Sequence, residues 1–171
     1  AQTPPGRETS AESVASYSPS QQMPVDPEVR VGTLANGLRY YVRANAKPAR
    51  RAELRLVVKA GSVLEDDDQQ GLAHFVEHML FEGTKHFPGK GIEDFLSSLG
   101  LSIGADANAS TSYDETQYTL RVPTDVNGVL DRALLVLEDW AQGATFDQGG
   151  VDHQRGIVLS EWRMNLGAGM R

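Results

Sequence analysis

One stretch of this chain sets both its local structure and its chemistry: residues 72–81 read LAHFVEHMLF. Residues four apart on a helix lie above one another, so His74 and His78 face the same side. Two neutral imidazoles in that arrangement can bind one divalent metal ion, and zinc suits them best. Glu77 points to the same side and could take a proton from a metal-bound water. The spacing therefore predicts a helix that carries two metal ligands and a general base, in the order H-x-x-E-H.

The apolar residues of the stretch predict the same helix. Successive residues step about 100° around a helix axis. At that step one arc is apolar and carries Leu72, Phe75, Val76, Met79 and Leu80. The two histidines and the glutamate fall on the opposite arc, so one face is predicted to lie in the core and the other to be free for chemistry. The alternative is a solvated helix face that holds two histidines by chance. The separation of the apolar residues from the two histidines and the glutamate disfavours this alternative.

Composition narrows the class of protein. A chain of 171 residues predicts one domain with a sizeable core. The net charge of −7 and the lack of a basic patch disfavour nucleic acid or an anionic membrane as a partner. No apolar run approaches the roughly 18 residues of a membrane span. The sequence has no cysteine, which excludes disulfides and thiolate metal ligands.

The N-terminal region differs from the rest. Residues 1–27 are rich in Pro, Ser, Gln, Glu and Ala without periodicity, which predicts a disordered tail before a domain over residues 28–171. An alanine start before a polar tail resembles a mature terminus after signal-peptide removal, so a periplasmic or secreted protein is expected. The alternative is an artificially trimmed start and a cytoplasmic protein.

The remaining sequence predicts strands and helices in mixed order. Asn36-Gly37 predicts a hairpin between two strands, and Asp125 is predicted to cap a helix that continues to Trp140. The acidic run 65–68 could supply negative charge near the start of the metal helix. The predicted strands are 29–34, 38–42, 53–59, 101–107 and 115–122, and the other helices are 92–99 and 148 to beyond 166. This order predicts an α+β sandwich, with helices on one face of a mostly antiparallel sheet.

A third metal ligand has to come from outside the motif, because a catalytic zinc usually has three protein ligands. Without cysteine it is Asp, Glu or one of the remaining histidines, His86 and His153. Glu161 shares a helix face with Ile157 and Val158, where a carboxylate is costly unless a cation is paired with it. Phasing alone leaves Glu161 open between a metal ligand and a carboxylate that reaches water or an arginine. His86 and His153 are interpreted as surface histidines.

The stretch 71–84, GLAHFVEHMLFEGT, resembles the signature of the pitrilysin-type zinc peptidases, the M16 or inverzincin family. The segment 155–161, RGIVLSE, is similar to the helix that supplies the third zinc ligand of that family. The resemblance therefore implies that Glu161 binds zinc together with His74 and His78, with one ion for each catalytic domain.

The resemblance extends from Val29 to Glu161 and implies the processing-peptidase-like α+β sandwich. It also implies that Asn108, Ala109 and Ser110 lie on an edge strand that binds peptide substrate as an additional strand. Working members of the family pair a catalytic half with a second half, in the same polypeptide or in a partner subunit. A second M16 half is therefore the expected partner, and the chain is expected to be an N-terminal piece truncated at its C-terminus.

One position departs from the family pattern. A second glutamate usually supports the site seven residues before the third ligand, and this chain has Gln154 there. A neutral amide can form a hydrogen bond but cannot raise the basicity of a ligand as a carboxylate does. A lower zinc affinity or rate is therefore expected.

The expected function is a zinc-dependent endopeptidase that cleaves peptides or unstructured polypeptides. His74, His78 and Glu161 bind zinc, and Glu77 takes a proton from the zinc-bound water and passes it to the leaving amine. One alternative is a small-molecule lyase like S-ribosylhomocysteine lyase, which shares the motif but needs a cysteine ligand. Another is a non-catalytic half of an M16 assembly, although such halves typically lack the metal motif that this chain retains.

Overall fold

A computed structural model describes Ser18, Ser20 and residues 24–169 of the chain, with side chains as far as Met164. The described part of the chain divides into two compact units, with the boundary between Asn45 and Ala46. Most of the tail predicted over residues 1–27 lies outside the described residues.

The first unit contains an antiparallel hairpin of β1 (Val29–Thr33) and β2 (Arg39–Arg43). The chain reverses through Asn36 and Gly37, and Gly37 has a φ of 88°, a left-handed conformation that glycine adopts without steric cost. The side-chain oxygen of Asn36 accepts a hydrogen bond from the backbone nitrogen of Leu38 at 3.1 Å. The hairpin predicted from Asn-Gly is confirmed.

The second unit contains a three-stranded antiparallel sheet in the order β3-β5-β4. Its strands are β3 (Arg51–Val58), β4 (Ala107–Thr111) and β5 (Thr116–Pro123). Every second residue of β5 from Thr116 to Val122 is buried, which gives the sheet one face in the core. The opposite face is mostly polar, and there Glu53 forms ion pairs with Arg55 at 2.8 Å and Arg121 at 3.1 Å.

Helices cover the buried face of this sheet. They are α1 (Leu72–Glu82), α2 (Gly91–Ser98), α3 (Val129–Gln142) and α4 (Gln148–Gly169). α1 contacts β4 and β5, α3 contacts β3 and β5, and α4 packs against α1. The indole N–H of Trp140 donates to the carbonyl oxygen of Leu80 at 3.2 Å and so links α3 to α1. Core side chains come from all three strands and from α1, α2 and α3, among them Leu54, Leu80, Leu96, Ala107, Leu120 and Val136. The predicted α+β sandwich is confirmed.

The strand predicted over residues 101–107 is wrong, because β4 begins only at Ala107. The preceding segment turns back on itself. Gly104 has a φ of 92°, and the carboxylate of Asp106 accepts a hydrogen bond from the backbone nitrogen of Ser102 at 3.1 Å. The sequence of β4, ANAST, contains few residues that favour strands, so residue preference alone did not predict a strand there.

The helix cap predicted at Asp125 is also wrong. α3 begins at Val129 after Gly128, whose φ is 75°, and no side chain caps its first turn. Residues 126–128 form an additional turn, closed by a hydrogen bond from the nitrogen of Val129 to the carbonyl oxygen of Val126 at 3.3 Å. Asp125 therefore lies too many residues before α3 to cap it. Its Oδ2 atom lies 3.6 Å from Nη1 of Arg50 instead.

A buried carboxylate on α3, Asp139, ties this helix to the loop after α1. Its oxygens accept hydrogen bonds from the Thr84 hydroxyl at 2.6 Å and the His86 backbone nitrogen at 2.8 Å, and Nδ1 of His86 lies 2.7 Å away. Burial alone would raise the pKa of Asp139, but the hydrogen bonds together outweigh burial and hold that pKa below its usual value. His86 remains at the surface, as interpreted from the sequence, with its ring directed at this carboxylate.

Replacing Asp139 with asparagine should lower the free energy of unfolding by about 1–3 kcal/mol at neutral pH, because one buried acceptor becomes a donor. The pKa of Asp139 is lower in the folded state than in the unfolded state. The stabilisation by Asp139 should therefore be complete above a pH of about 4 and disappear as the pH falls below that value. Denaturant unfolding followed by tryptophan fluorescence at neutral and acidic pH measures both effects. Asp131→Asn, an exposed change on the same helix, is the control; equal losses in the two variants would contradict the prediction.

Candidate metal centre

The start of α1 is held by a carboxylate from the loop before it. The two carboxylate oxygens of Glu65 accept hydrogen bonds from the backbone nitrogens of Gly71 and Ala73, each at 2.8 Å. A negative charge at this position also interacts favourably with the helix dipole. Glu65 thus performs the role expected of the acidic run, and residues 66–68 are exposed.

Two helices bring His74, His78 and Glu161 together. The Nε2 atoms of His74 and His78 lie 3.1 Å apart, and an oxygen of Glu161 lies 3.5 Å from each of them. Tetrahedral zinc ligands about 2.0–2.1 Å from the ion are about 3.3 Å from one another, so these spacings fit zinc. Two imidazoles and a carboxylate are also a usual donor set for catalytic zinc. The three side chains are partly exposed, which leaves the cluster accessible to water.

Gln154 lies beside this cluster and is buried. Its side-chain oxygen lies 3.0 Å from Nδ1 of His78. An amide oxygen only accepts, so this contact is a hydrogen bond when Nδ1 of His78 carries the hydrogen. A neutral His78 then has its lone pair on Nε2, the nitrogen that faces His74 and Glu161. The amide that departs from the family pattern therefore still orients a predicted ligand.

Glu77 lies on α1 outside the three-residue cluster. Its carboxylate accepts a hydrogen bond from the hydroxyl of Thr111 at 2.5 Å. Thr111 is the last residue of β4, so this bond joins the predicted general base to the edge strand. Burial raises the pKa of Tyr118, and the negative charge of nearby Glu77 raises it further. The sequence reasoning assigned no role to Thr111; its position directly after the predicted substrate segment was the available signal.

The predicted substrate-binding residues all lie on β4. Asn108, Ala109 and Ser110 pair with β5 on one side, and β4 forms the edge of the sheet. Asn108 and Ser110 are exposed, and Ala109 is half-buried. The structure thus places this segment on an edge strand that contacts α1, the helix with the H-x-x-E-H motif.

The two other histidines lie apart from the cluster. His86 faces Asp139, as described above. His153, on α4, is largely exposed and its Nδ1 lies 3.2 Å from a carboxylate oxygen of Glu82. Neither belongs to the group of side chains that could share one ion. Within the described residues, no helix combines the length and the apolar character needed to cross a membrane.

Residues 40–166 match the family model described as insulinase, peptidase family M16. The chain belongs to this family, and the resemblance noted in its sequence is confirmed. The match covers α1 with its H-x-x-E-H motif and α4 as far as Leu166.

Similar proteins include zinc proteases. The chain is 42% identical over 154 residues to a protein of Haemophilus influenzae named probable zinc protease PqqL; this covers 90% of the chain and 17% of that protein. It is 44% identical over 137 residues to a zinc protease PQQL-like protein of Arabidopsis thaliana, covering 80% of the chain and 14% of that protein. The chain thus spans less than a fifth of the length of these relatives.

Solved structures agree with this assignment. The first half of the periplasmic protease PqqL from Escherichia coli superposes with a TM-score of 0.79 at 42% identity, over 83% of this chain and 30% of that one. The crystal structure of pitrilysin superposes with a TM-score of 0.68 at 29% identity, over 80% of this chain and 14% of that one. The mixed helical and antiparallel architecture is therefore that of the family.

Proposed function

We propose that this chain supplies the catalytic zinc site of an endopeptidase that cleaves peptides or unstructured polypeptides. The observation that carries the proposal is the approach of His74, His78 and Glu161 from two helices to distances that fit tetrahedral zinc. The names of the relatives, probable zinc protease PqqL and zinc protease PQQL-like, support the same chemistry. One ion would serve the domain, since the cluster offers one set of three ligands.

His74, His78 and Glu161 would hold the ion, and Glu77 would move protons. A zinc ion at this place supplies a Lewis acid for the scissile carbonyl and makes a nearby water more acidic. The carboxylate of Glu77 accepts a proton from the attacking water and then donates it to the nitrogen of the leaving amine. Thr111 holds that carboxylate in place through its hydroxyl.

Substrate would bind along β4. Asn108, Ala109 and Ser110 lie on the edge strand, where an extended peptide can pair with the backbone. Backbone pairing gives affinity with little selection of side chains, which suits a range of unstructured substrates. Because Thr111 continues the same strand and contacts Glu77, a peptide bound there lies next to the general base.

The whole protein would contain more than this domain. We propose that residues 28–171 contribute to the catalytic half of a two-half M16 peptidase, with a second half in the same polypeptide or in a partner subunit. The solved first half of E. coli PqqL supports this arrangement, and the description of that relative as a periplasmic protease supports a periplasmic location.

Zinc binding and peptide cleavage test the proposal together. The chain should bind zinc with a stoichiometry of one, measured by titration against a chromophoric chelator and by elemental analysis. Cleavage of an unstructured fluorogenic peptide should require zinc and stop with a chelator, and addition of a second M16 half should increase it. A chain that binds no zinc at neutral pH, or cleaves equally well with chelator present, would refute the proposal.

A further inference from the structure

Glu82, the last residue of α1, is connected to the metal cluster through one intermediate side chain. Its carboxylate accepts a hydrogen bond from Nε2 of Gln154 at 2.5 Å, and the other end of that amide lies 3.0 Å from Nδ1 of His78. Glu82 and His78 are four residues apart on one helix face, and Gln154 reaches both from α4. These three side chains form what we call the Glu82–Gln154–His78 relay.

The carboxylate of Glu82 determines the direction of every hydrogen bond in the relay. An ionised carboxylate only accepts, so the NH₂ end of Gln154 has to face Glu82. The oxygen end of Gln154 then faces His78, whose Nδ1 has to donate to it. With its hydrogen on Nδ1, neutral His78 presents the Nε2 lone pair to the cluster. Without the negative charge, the amide of Gln154 could turn over and favour the opposite tautomer of His78.

The packing around Glu82 holds the relay in place. Gln154 is 8% exposed, and the Glu82 side chain is 27% exposed. α4 approaches closely at Gly150, where an added β-carbon would lie 2.9 Å from Cγ of Glu82. Nδ1 of His153 lies 3.2 Å from an oxygen of the same carboxylate. Glu82 is therefore fixed between two helices and directed at Gln154.

We propose that Glu82 is a positioning residue for zinc binding, which acts on His78 through Gln154. It lies outside the three-residue cluster that could hold the ion. Its role is to select the tautomer of His78 and, by polarising Gln154, to increase the donor strength of Nε2. The inference rests on the proposed function, because it assigns His78 to a zinc site.

The test is an exchange of the carboxylate and the amide, measured as zinc affinity on the full chain. Glu82→Gln should weaken zinc binding about 10-fold, the lower end of the usual effect of removing a supporting group. Gln154→Glu alone places two carboxylates in contact and completes the double-mutant cycle. The double variant Glu82→Gln with Gln154→Glu restores one carboxylate and one amide in reversed order. Its carboxylate accepts directly from Nδ1 of His78, so zinc affinity should recover to the parent value or exceed it. Recovery in the double variant would not follow from a merely structural role.

Glu138→Gln, the same change at an exposed position of α3, is the matched control and should leave zinc affinity unchanged. Thermal unfolding by circular dichroism shows whether each variant is folded. Unchanged affinity in folded Glu82→Gln, or a loss that the double variant does not recover, would overturn the role of Glu82.

A second measurement separates this inference from the proposed function. In the metal-free chain, nitrogen-15 NMR of the imidazoles should show His78 with its hydrogen on Nδ1, and Glu82→Gln should increase the other tautomer. Because this readout needs no zinc, it tests the relay even if the parent bound no metal, a result that would refute the proposed function by itself. An Nε2–H tautomer in the metal-free parent would overturn the relay.

Discussion

Replacing Glu77 with glutamine should lower peptide turnover by about 10²–10⁴-fold, the usual contribution of a general base. Glutamine keeps the shape of the side chain, and its carbonyl oxygen can still accept the hydrogen bond of Thr111. It cannot accept a proton from water. Zinc affinity should remain that of the parent, because Glu77 lies outside the three-residue cluster.

Steady-state cleavage of a fluorogenic peptide, with zinc titration of the same samples, measures both quantities. Turnover is best compared with the second M16 half present, where the parent rate should be highest. Glu93→Gln, an exposed change on α2, is the control. Cleavage by the Glu77 variant at the parent rate would exclude Glu77 as the base, and a large loss of zinc would instead make Glu77 a ligand.

Replacing Glu161 with glutamine should weaken zinc binding by more than about 100-fold, beyond the usual effect of losing a supporting group. Glu161 is the one carboxylate of the cluster, and its oxygen lies 3.5 Å from Nε2 of each histidine. A neutral amide oxygen is a weaker ligand and provides no charge to balance a divalent ion. Activity should be lost together with the metal, in contrast to the Glu77 variant.

Competition with a chromophoric chelator measures this affinity, and added zinc should partly restore cleavage. Asp152→Asn on the same helix is the control, since Asp152 is exposed and interacts with Gln148 and Arg155. If the Glu161 variant bound zinc as tightly as the parent, the third ligand would have to be another group, and the assignment based on geometry would be wrong.

The helices were predictable because their signals are local. The period of apolar residues indicated α1 and its two faces, and the helix predicted over residues 92–99 corresponds to α2, Gly91–Ser98. β4 was not recognisable as a strand from its residues, since Ala, Asn and Ser have little strand preference and its pairing partner β5 determines its conformation. Only the family resemblance indicated an edge strand there.

Some residues of the candidate site were likewise predictable from local sequence, and others depend on tertiary packing. His74, Glu77 and His78 follow from spacing within one helix. Helical phasing left the role of Glu161 undecided, because the approach of α4 to α1 is a tertiary contact that sequence periodicity does not contain. Glu82 lies four residues after His78, so its shared helix face was visible in the sequence. Its link to Gln154 was not, because that link also depends on how the two helices pack.

Because the cluster is divided between α1 and α4, its side chains are synthesised at different times. A ribosome releases α1 well before α4, and domains form from the N-terminal side as synthesis proceeds. During that interval the two histidines are available to any divalent metal, but only as an incomplete and weak site. Synthesis of α4 would complete the proposed set of three ligands. Metal selection in the cell would then be decided only when Glu161 joins the histidines.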